Sequence, residues 1–315
     1  MIKQTLYFGN PAYLSLTNKQ LVWKSAENNQ DKKIPVFLRQ ETERTINIED
    51  VGFIILDHSQ ITLTQRLMSE LMECNVVLMT CDPSHHPNGL FLALNGNTLL
   101  TERHQTQVTA SIPLKKNLWA QIITRKIYNQ ACSLKLSTGL TDEYRYLAKL
   151  SKTVKAGDLT NREAMAASFY WPRLMPELGG FIRMREGFPP NNFFNYAYAL
   201  LRASVARAIV STGLIPSLGL HHKNKYNAFC LADDMMEAFR PAVDAEVVKI
   251  IRKHGADREL DTELKKDLLG ILTMDVKMEK DKSPLMVACT RSVRSLYNCF
   301  EGSTRKLLLP GLIME

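Results

Sequence analysis

The sequence predicts an α+β protein of two domains: a small β-rich, β-sandwich-like domain at residues 1–95 and a larger all-α domain at residues 113–315. Residues 96–112 are expected to link them. The length of 315 residues is about twice the roughly 150 that one domain usually needs. Short β-branched runs between turn residues fill the first part of the chain, and apolar residues at helical spacing fill the second.

The amino-terminal third contains runs of apolar residues that are typical of strands. Residues 12–24, AYLSLTNKQLVWK, place two alternating runs around Thr17-Asn18-Lys19, which predicts a β-hairpin. Residues 46–57, INIEDVGFIILD, form a β-branched run that ends at a turn. Leucines at helical spacing predict one short helix over 63–73, and the following VVLMTCD predicts a buried strand.

Longer periodic segments begin after the turn at Asn95-Gly96-Asn97. Two series of apolar residues recur at helical spacing and predict long helices. They are Leu118, Ile122, Ile123 and Ile127, and Phe194, Tyr198, Leu201, Val205 and Ile209. The second series ends at Gly213, a residue typical of helix ends. Residues 255–283 are charged, and we expect them to be exposed.

The composition is that of an ordinary globular protein, with 45% hydrophobic and 23% charged residues. The longest apolar runs, such as residues 53–56, are far shorter than the ~18 residues of a membrane span. The amino end has no signal-peptide pattern, so we expect a cytoplasmic protein. Six cysteines form no CxxC pair and are expected to be reduced. The segment TCDPSHHPNG at 80–89 predicts a tight turn rather than a metal site, because Pro, Asn and Gly punctuate it.

Positive charge is concentrated in the middle of the chain. Residues 1–95 hold 8 Lys and Arg against 10 Asp and Glu, residues 96–223 hold 17 against 7, and residues 224–315 hold 15 of each. A polyanion such as a nucleic acid would be attracted to the middle segment. Charge alone leaves open a basic, helix-rich surface that has no such partner.

Glu163 lies near the start of a predicted helix in GDLTNREAMAASFYWPRL. In one interpretation Thr160 and Glu163 form a capping box, in which the glutamate reaches back to the backbone of the cap residue. In the other, the small side chains of Ala164, Ala166 and Ala167 let a ligand or another backbone come close to this helix.

An acidic segment follows in CLADDMMEAFRP at 230–241. It predicts a helix that Asp233, Asp234 and Glu237 open, with Asp233 as its cap, and that Pro241 ends. Asp234 and Glu237 are three positions apart and therefore share one face of that helix. Two carboxylates on one face could bind Mg²⁺ or Mn²⁺, which prefer oxygen ligands.

Two histidines precede this helix in the Gly- and Pro-rich segment GLIPSLGLHHKNK. His221 or His222 could add an imidazole to the acidic face, since Mn²⁺ also accepts nitrogen ligands. The alternative, that both are ordinary surface or packed residues, stays open on the pattern alone.

Taken together, NREAMAASFYW and NYAYALLRASVARAIVSTGLIPSLGLHHKNKYNAFCLADDMMEAFRP resemble the spacer integrase of CRISPR adaptation, the CRISPR-associated protein one family, and most closely its type II form. The resemblance covers essentially the whole chain. It implies that Glu163, His222 and Glu237 bind a catalytic Mg²⁺ or Mn²⁺ ion. His222 is favoured over His221 because the type II form keeps the histidine fifteen positions before the glutamate. Asp234 falls on a further acidic position that some relatives use at the metal.

The resemblance also implies an activity and partners. The family is described as a metal-dependent DNA endonuclease, and it inserts short DNA duplexes into the repeat array by attack of a 3′-hydroxyl on a phosphodiester. A divalent ion would stabilise charge on the attacked phosphate and activate the nucleophile. The family forms homodimers through its β-rich domains, and two dimers flank a dimer of the small CRISPR-associated protein two. The larger domain is therefore expected to be the catalytic, DNA-binding one.

Basic side chains are the candidates for contact with the DNA backbone. They are Arg145, Lys149, Lys152, Lys155, Arg183, Arg185, Arg202, Arg207, Lys223 and Lys225. Two other functions stay open. One is a metal-dependent nuclease that acts on branched DNA in repair, with water as the nucleophile. The other is a non-catalytic DNA-binding scaffold in which Glu163 and Asp233 only cap helices.

Overall fold

The structure is a computed structural model, and it describes residues 3–25, 43–94, 96–184 and 187–314. The chain divides into two compact units, residues 1–96 and 97–315. The first contains the described strands β1 to β8 and one helix, and the second is mainly helical. This confirms the predicted α+β layout, with β structure first and helices after it. None of the helices in the described ranges is both long and apolar enough to cross a membrane.

Two four-stranded sheets build the amino-terminal unit. One has the order β1-β5-β7-β8, with β1, β5 and β7 parallel, and the other has the order β4-β3-β2-β6. The elements are β1 (Gln4–Phe8), β2 (Ala12–Thr17), β3 (Gln20–Ser25), β4 (Glu43–Asn47), β5 (Val51–Leu56), β6 (Ile61–Leu63), α1 (Gln65–Glu73), β7 (Val77–Cys81) and β8 (Pro87–Phe91). Buried side chains from both sheets and from α1 share one hydrophobic core.

The local predictions for this unit hold at several points. Asn18 and Lys19 have φ values of 49° and 60°, as the two-residue turn of the predicted hairpin requires. Helix α1 starts at Gln65 because the hydroxyl of Thr64 accepts a hydrogen bond from the Leu67 amide. The predicted turn at TCDPSHHPNG is present, and there His85 Nδ1 lies 2.7 Å from the carboxylate of Asp57.

The second unit consists of helices and one hairpin. The elements are α2 (Leu100–Thr109), α3 (Ile112–Thr138), α4 (Thr141–Ser151), α5 (Arg162–Leu174), α6 (Asn191–Ser211), α7 (Cys230–Met236), α8 (Arg240–His254), α9 (Thr262–Leu269), β9 (Asp275–Met278), β10 (Asp281–Pro284) and α10 (Leu285–Glu301). The apolar series predicted for α3 and α6 are buried, as expected. The hairpin β9–β10 lies in the charged segment and buries Val276 and Met278 in alternation with exposed residues.

The segment predicted to be a linker, residues 96–112, instead contains helix α2. Polar side chains rather than an apolar stripe fix this helix in the unit. The fully buried Gln107 donates to the carbonyls of Ile215 and Leu218 at 3.0 Å and accepts from the Ile215 amide at 2.7 Å. These bonds hold the stretch that leads into the two histidines.

The carboxy-terminal segment after α10 returns to α3. Gln121 donates to the Arg305 carbonyl and accepts from the Leu307 amide, both at 2.8 Å. The buried side chain of Asn129 donates to the carbonyls of Ala238 and Pro310 at 2.8 and 3.0 Å. Asn129 therefore joins α3 to the backbone just after Glu237 and to the carboxy-terminal segment at once.

Candidate active site

Lys126 on α3 lies between the carboxylates of Glu163 and Glu237. Its Nζ is 2.6 Å from Glu163 Oε1 and 2.5 Å from Glu237 Oε2. The side chains of Lys126 and Glu237 are 12% and 6% exposed, while that of Glu163 is 30% exposed. Two acidic residues that are 74 positions apart in sequence, at 163 and 237, thus meet at one cation near the surface.

Glu163 reaches this position because Asp158, not Thr160, caps helix α5. The carboxylate of Asp158 accepts from the amides of Arg162 and Glu163 at 2.9 and 3.0 Å. A tight turn with Gly157 at φ 74° and Asn161 at φ 51° brings Asp158 beneath the first helical turn. The capping-box interpretation is therefore wrong, and the Glu163 side chain is directed to Lys126 instead.

Glu237 stands where α7 ends, and two predictions about this helix are wrong. Helix α7 starts at Cys230, so Asp233 lies in its first turn but is not its cap, and Glu237 lies at its end rather than its start. Asp233 instead accepts from Arg202 Nε and from the Asn227 amide group, both at 2.7 Å. Pro241 lies in the first turn of α8, where proline is compatible with a helix, and does not end the preceding one.

The Glu237 carboxylate is buried between two cations. Burial raises its pKa, but Arg240 and Lys126 outweigh that effect and hold the pKa below its ordinary value. Burial lowers the pKa of Lys126, and Glu237 together with Glu163 outweighs it and raises the pKa. Both groups are therefore charged at neutral pH. The Glu237 oxygen that faces Lys126 makes an ion pair without a hydrogen bond of good angle.

His222 is oriented by Asp234. Its Nδ1–H donates to Asp234 Oδ1 at 2.6 Å. The fully buried Asp234 carboxylate also accepts from the amides of Leu220, His221 and His222 at 2.5, 2.9 and 3.2 Å. The hydrogen bond that His222 donates to Asp234 raises the pKa of His222, while burial opposes this rise. A carboxylate that fixes one ring nitrogen and leaves the other outward is the usual support of a metal-binding histidine.

The ring of Trp119 packs against the rings of both histidines. Its ring stacks on His221 with centroids 4.4 Å apart and meets His222 edge-on at 5.8 Å. Trp119 is fully buried and precedes Lys126 by seven positions, so the two residues lie on the same face of α3. Helix α3 thus carries both Lys126, whose ammonium lies between the two glutamates, and Trp119, whose ring packs against the two histidines.

The donor set fits a divalent cation in its chemistry. Two carboxylates already enclose a positive group, and His222 is close enough to Glu237 to contribute to the lowering of its pKa. Carboxylate and imidazole ligands suit Mn²⁺, and carboxylates suit Mg²⁺. The side chains do not stand in ligand positions, however: in the described ranges, no three His, Cys, Asp or Glu side chains form a metal-holding group. The Lys126 ammonium occupies the space between the glutamates.

The predicted DNA contacts fall into two groups. Arg145, Lys149, Lys152, Lys155, Lys223 and Lys225 are exposed. Three others are engaged within the unit: Arg183 bonds Asn191 and Asn195, Arg202 pairs with Asp233, and burial lowers the pKa of Arg207. Arg185 lies outside the described residues.

Sequence reasoning missed Lys126 and a buried network beside it. In that network Asp244 accepts from the hydroxyls of Tyr170 and Tyr198. Burial raises the pKa of Asp244 to about 7, although the tyrosines, Arg240 and Arg183 lower it. The Arg240 guanidinium also lies 4.6 Å from the centre of the Tyr198 ring and pairs with Glu237 at 3.1 Å. This network therefore fixes the far side of the Glu237 carboxylate.

Comparison with known proteins shows similarity over nearly the whole chain. The family described as CRISPR associated protein Cas1 matches residues 8–277. A CRISPR-associated endonuclease Cas1 of Neisseria meningitidis serogroup C (strain 8013) is 31% identical over 314 residues, which are 99% of this chain and 97% of the relative.

Two solved structures share the fold of this chain. A casposase bound to integration product has a TM-score of 0.75 and 20% sequence identity, and the match covers 98% of this chain and 92% of the casposase. A chain of a Cas6-RT-Cas1–Cas2 complex has a TM-score of 0.70 and 19% identity, over 99% of this chain and 36% of that one.

Proposed function

The chain belongs to the family of CRISPR-associated Cas1 proteins, and from this premise we propose that it is a metal-dependent DNA endonuclease and integrase of CRISPR adaptation. The observation that carries the proposal is the convergence of Glu163 and Glu237 on one cation, Lys126, beside His222, which Asp234 orients. The similarity to a Cas1 endonuclease over almost the full length supports the activity. The fold shared with a casposase bound to integration product agrees with DNA joining.

In the proposed reaction, one phosphodiester is exchanged for another. The oxygen of an incoming 3′-hydroxyl bonds to the phosphorus, the bond to the 3′-oxygen of the target strand breaks, and the proton lost by the first oxygen ends on the second. Mg²⁺ or Mn²⁺, when bound, would stabilise the charge that develops on the phosphate. Glu163, Glu237 and His222 Nε2 would hold it.

The remaining groups of the site prepare these ligands. Asp234 keeps Nδ1 of His222 protonated and so presents Nε2 as the free nitrogen. Arg240 fixes the second oxygen of Glu237, and Asp158 fixes the helix start that carries Glu163. Preorganisation of this kind lowers the cost of assembling the site around the substrate.

The proposed partners are double-stranded DNA, a second copy of this chain and the small Cas2 protein. The exposed lysines on α4 and after it, with Lys223 and Lys225 beside His222, would contact phosphates largely without reading bases. The shared fold with a chain from a complex that contains Cas2 supports the Cas2 assignment.

The experiment is a joining assay with Glu163→Gln. A linear duplex with free 3′-hydroxyls and a supercoiled plasmid that carries the repeat array are incubated with the protein, Cas2 and Mn²⁺. We expect Glu163→Gln to abolish joined products while the protein remains folded, and Glu143→Gln on α4 to retain them. Joining by folded Glu163→Gln would reject the assigned role, and cut but unjoined plasmid with the wild-type chain would favour the branched-DNA nuclease.

A further inference from the structure

The ammonium of Lys126 contacts the carboxylate oxygens of Glu163 and Glu237 that a divalent ion would need. Its Nζ is 2.6 Å from Glu163 Oε1 and 2.5 Å from Glu237 Oε2. A metal–oxygen bond to Mg²⁺ is about 2.0–2.1 Å. An ammonium and a metal ion therefore cannot both occupy the space between these carboxylates.

The position of Lys126 is set by the fold and not by chance contact at the surface. Trp119, Ile122 and Ile123, which lie on the same face of α3, are fully buried. Asn129, one turn further along, is fixed by the carbonyls of Ala238 and Pro310. The backbone of α3 thus holds the base of the lysine, while its four-carbon stem leaves the ammonium free to turn.

The charges around Glu163 and Glu237 determine how the Lys126 ammonium and a divalent ion would compete for the two carboxylates. The glutamates supply two negative charges, and Arg240 already neutralises part of one from the side away from Lys126. With the Lys126 ammonium in place, the negative charge of the two carboxylates is nearly neutralised. A divalent ion that enters would be repelled by the ammonium, since like charges within about 4–6 Å oppose each other strongly at buried sites.

We propose that Lys126 is the internal counter-ion of the Glu163–Glu237 pair, and that a divalent ion binds only by displacing its ammonium. Lys126 is then a positioning residue that holds the two carboxylates together and lowers the affinity for metal. The inference rests on the proposed metal role of the glutamates. It goes further by making metal binding a cation exchange, in which the freed ammonium moves from the carboxylates.

The test is a titration of the full-length protein with Mn²⁺ alone, without DNA, by calorimetry. Lys126→Met keeps the length of the side chain and removes the charge, so we expect about tenfold tighter binding or more. Lys126→Arg keeps the charge and is expected not to tighten binding. Lys115→Met, on the same helix but outside the site, makes the same change in net charge and is expected to bind as the wild type does.

A second readout is thermal unfolding of the same proteins. In EDTA we expect a lower midpoint for Lys126→Met than for Lys115→Met, because the buried Glu237 and the half-buried Glu163 carboxylates lose their partner. Mn²⁺ should then raise the midpoint of Lys126→Met by more than that of the wild type. Lys126→Gln serves as a second neutral variant if the methionine protein does not fold.

The outcomes separate this inference from the proposed function. Equal or weaker Mn²⁺ binding by folded Lys126→Met or Lys126→Gln would overturn the counter-ion role and leave the metal site in place. No Mn²⁺ binding by any of the proteins would overturn the metal role and the inference with it. A crystal structure of the wild type with Mn²⁺ should show the Lys126 ammonium away from both carboxylates, and an ammonium still bonded to both beside the ion would refute displacement.

Discussion

One oxygen of Asp234 accepts the Nδ1–H of His222 at 2.6 Å, and the carboxylate also accepts three successive backbone amides of the loop that carries this histidine. The side chain of Asp234 is fully buried. The same carboxylate therefore sets the conformation of the loop and the direction of the imidazole. In the proposed metal site, Asp234 would act on the ion through His222 and not as a direct ligand.

Asp234→Asn is expected to destabilise the protein by about 2–4 kcal/mol, because an amide group turned toward buried N–H donors leaves some of them unpaired. Chemical denaturation measures this loss. Asp142→Asn, which breaks only an exposed pair with Arg145, should cost less than about 0.5 kcal/mol. A loss as small for Asp234→Asn as for Asp142→Asn would contradict the assigned role.

Gly219→Ala is expected to disturb the histidine loop by close contact. A Cβ at this position would lie 2.6 Å from the His222 carbonyl oxygen and 2.7 Å from Asp234 Oδ2. Overpacking of this kind costs about 1–3 kcal/mol, and DNA joining should fall as well because His222 shifts. Gly270→Ala is the matched control, since nothing lies within 4 Å of its added Cβ. Wild-type stability and joining in Gly219→Ala would show that the loop tolerates the contact.

Asp244 predicts a dependence of stability on pH. Its pKa is raised by burial to about 7, whereas an unfolded aspartate titrates near ~3.9. The folded chain therefore binds the extra proton, and this contribution is complete below the unfolded pKa and is lost as pH rises through about 7. Tyr170, Tyr198, Arg183 and Arg240 are the titratable or charged groups that face it.

The measurement is the thermal midpoint at several pH values between about 5 and 8. Asp244→Asn removes the titration, so its midpoint should fall less over this range than that of the wild type. Glu246→Gln on the same helix, where the exposed Glu246–Lys249 pair is broken, should keep the wild-type slope. Parallel curves for Asp244→Asn and the wild type would show that another group carries the dependence.

The exposed lysines on α4 and after it predict a salt-dependent affinity for DNA. Each phosphate contact contributes about 0.9 to the slope of log K against log salt. Replacing Lys149, Lys152 and Lys155 together by alanine should weaken duplex binding and reduce the slope by about 2–3. The same triple change at the exposed Lys266, Lys277 and Lys280 is the control. Equal slopes in both triple variants would remove the first set from the DNA-binding surface.

Much of the fold is predictable because local patterns and tertiary packing agree. The hairpin at Thr17-Asn18-Lys19 and the apolar series of α3 and α6 follow from periodicity and turn chemistry, and the structure confirms them. The helix within 96–112 was missed because Gln107 holds it by long-range polar bonds, which leave no apolar period in the sequence. The strand β9 was missed because charge on its exposed side hides the alternation of Val276 and Met278.

At the site, the sequence indicated the acidic residues but not Lys126, the cation that pairs with Glu163 and Glu237. Lys126 follows Ile122 by four positions and Ile123 by three, so it falls on the buried face of a predicted helix. A lysine on such a face needs an anionic partner, and that signal could have found it. The capping of α5 by Asp158 could not be read in this way, since it depends on positive φ values at Gly157 and Asn161.

The hydrogen bonds that Asn129 donates to the carbonyls of Ala238 and Pro310 affect when this part of the chain can fold during translation. A growing polypeptide carries Lys126, Glu163 and Glu237 well before the ribosome has delivered the proline that this asparagine binds. Asn129 therefore makes both of its hydrogen bonds only once residue 310 has been synthesised. Before that point Asn129 can bind only the Ala238 carbonyl, so the backbone just after Glu237 reaches its final attachment to α3 later than the acidic residues themselves are made.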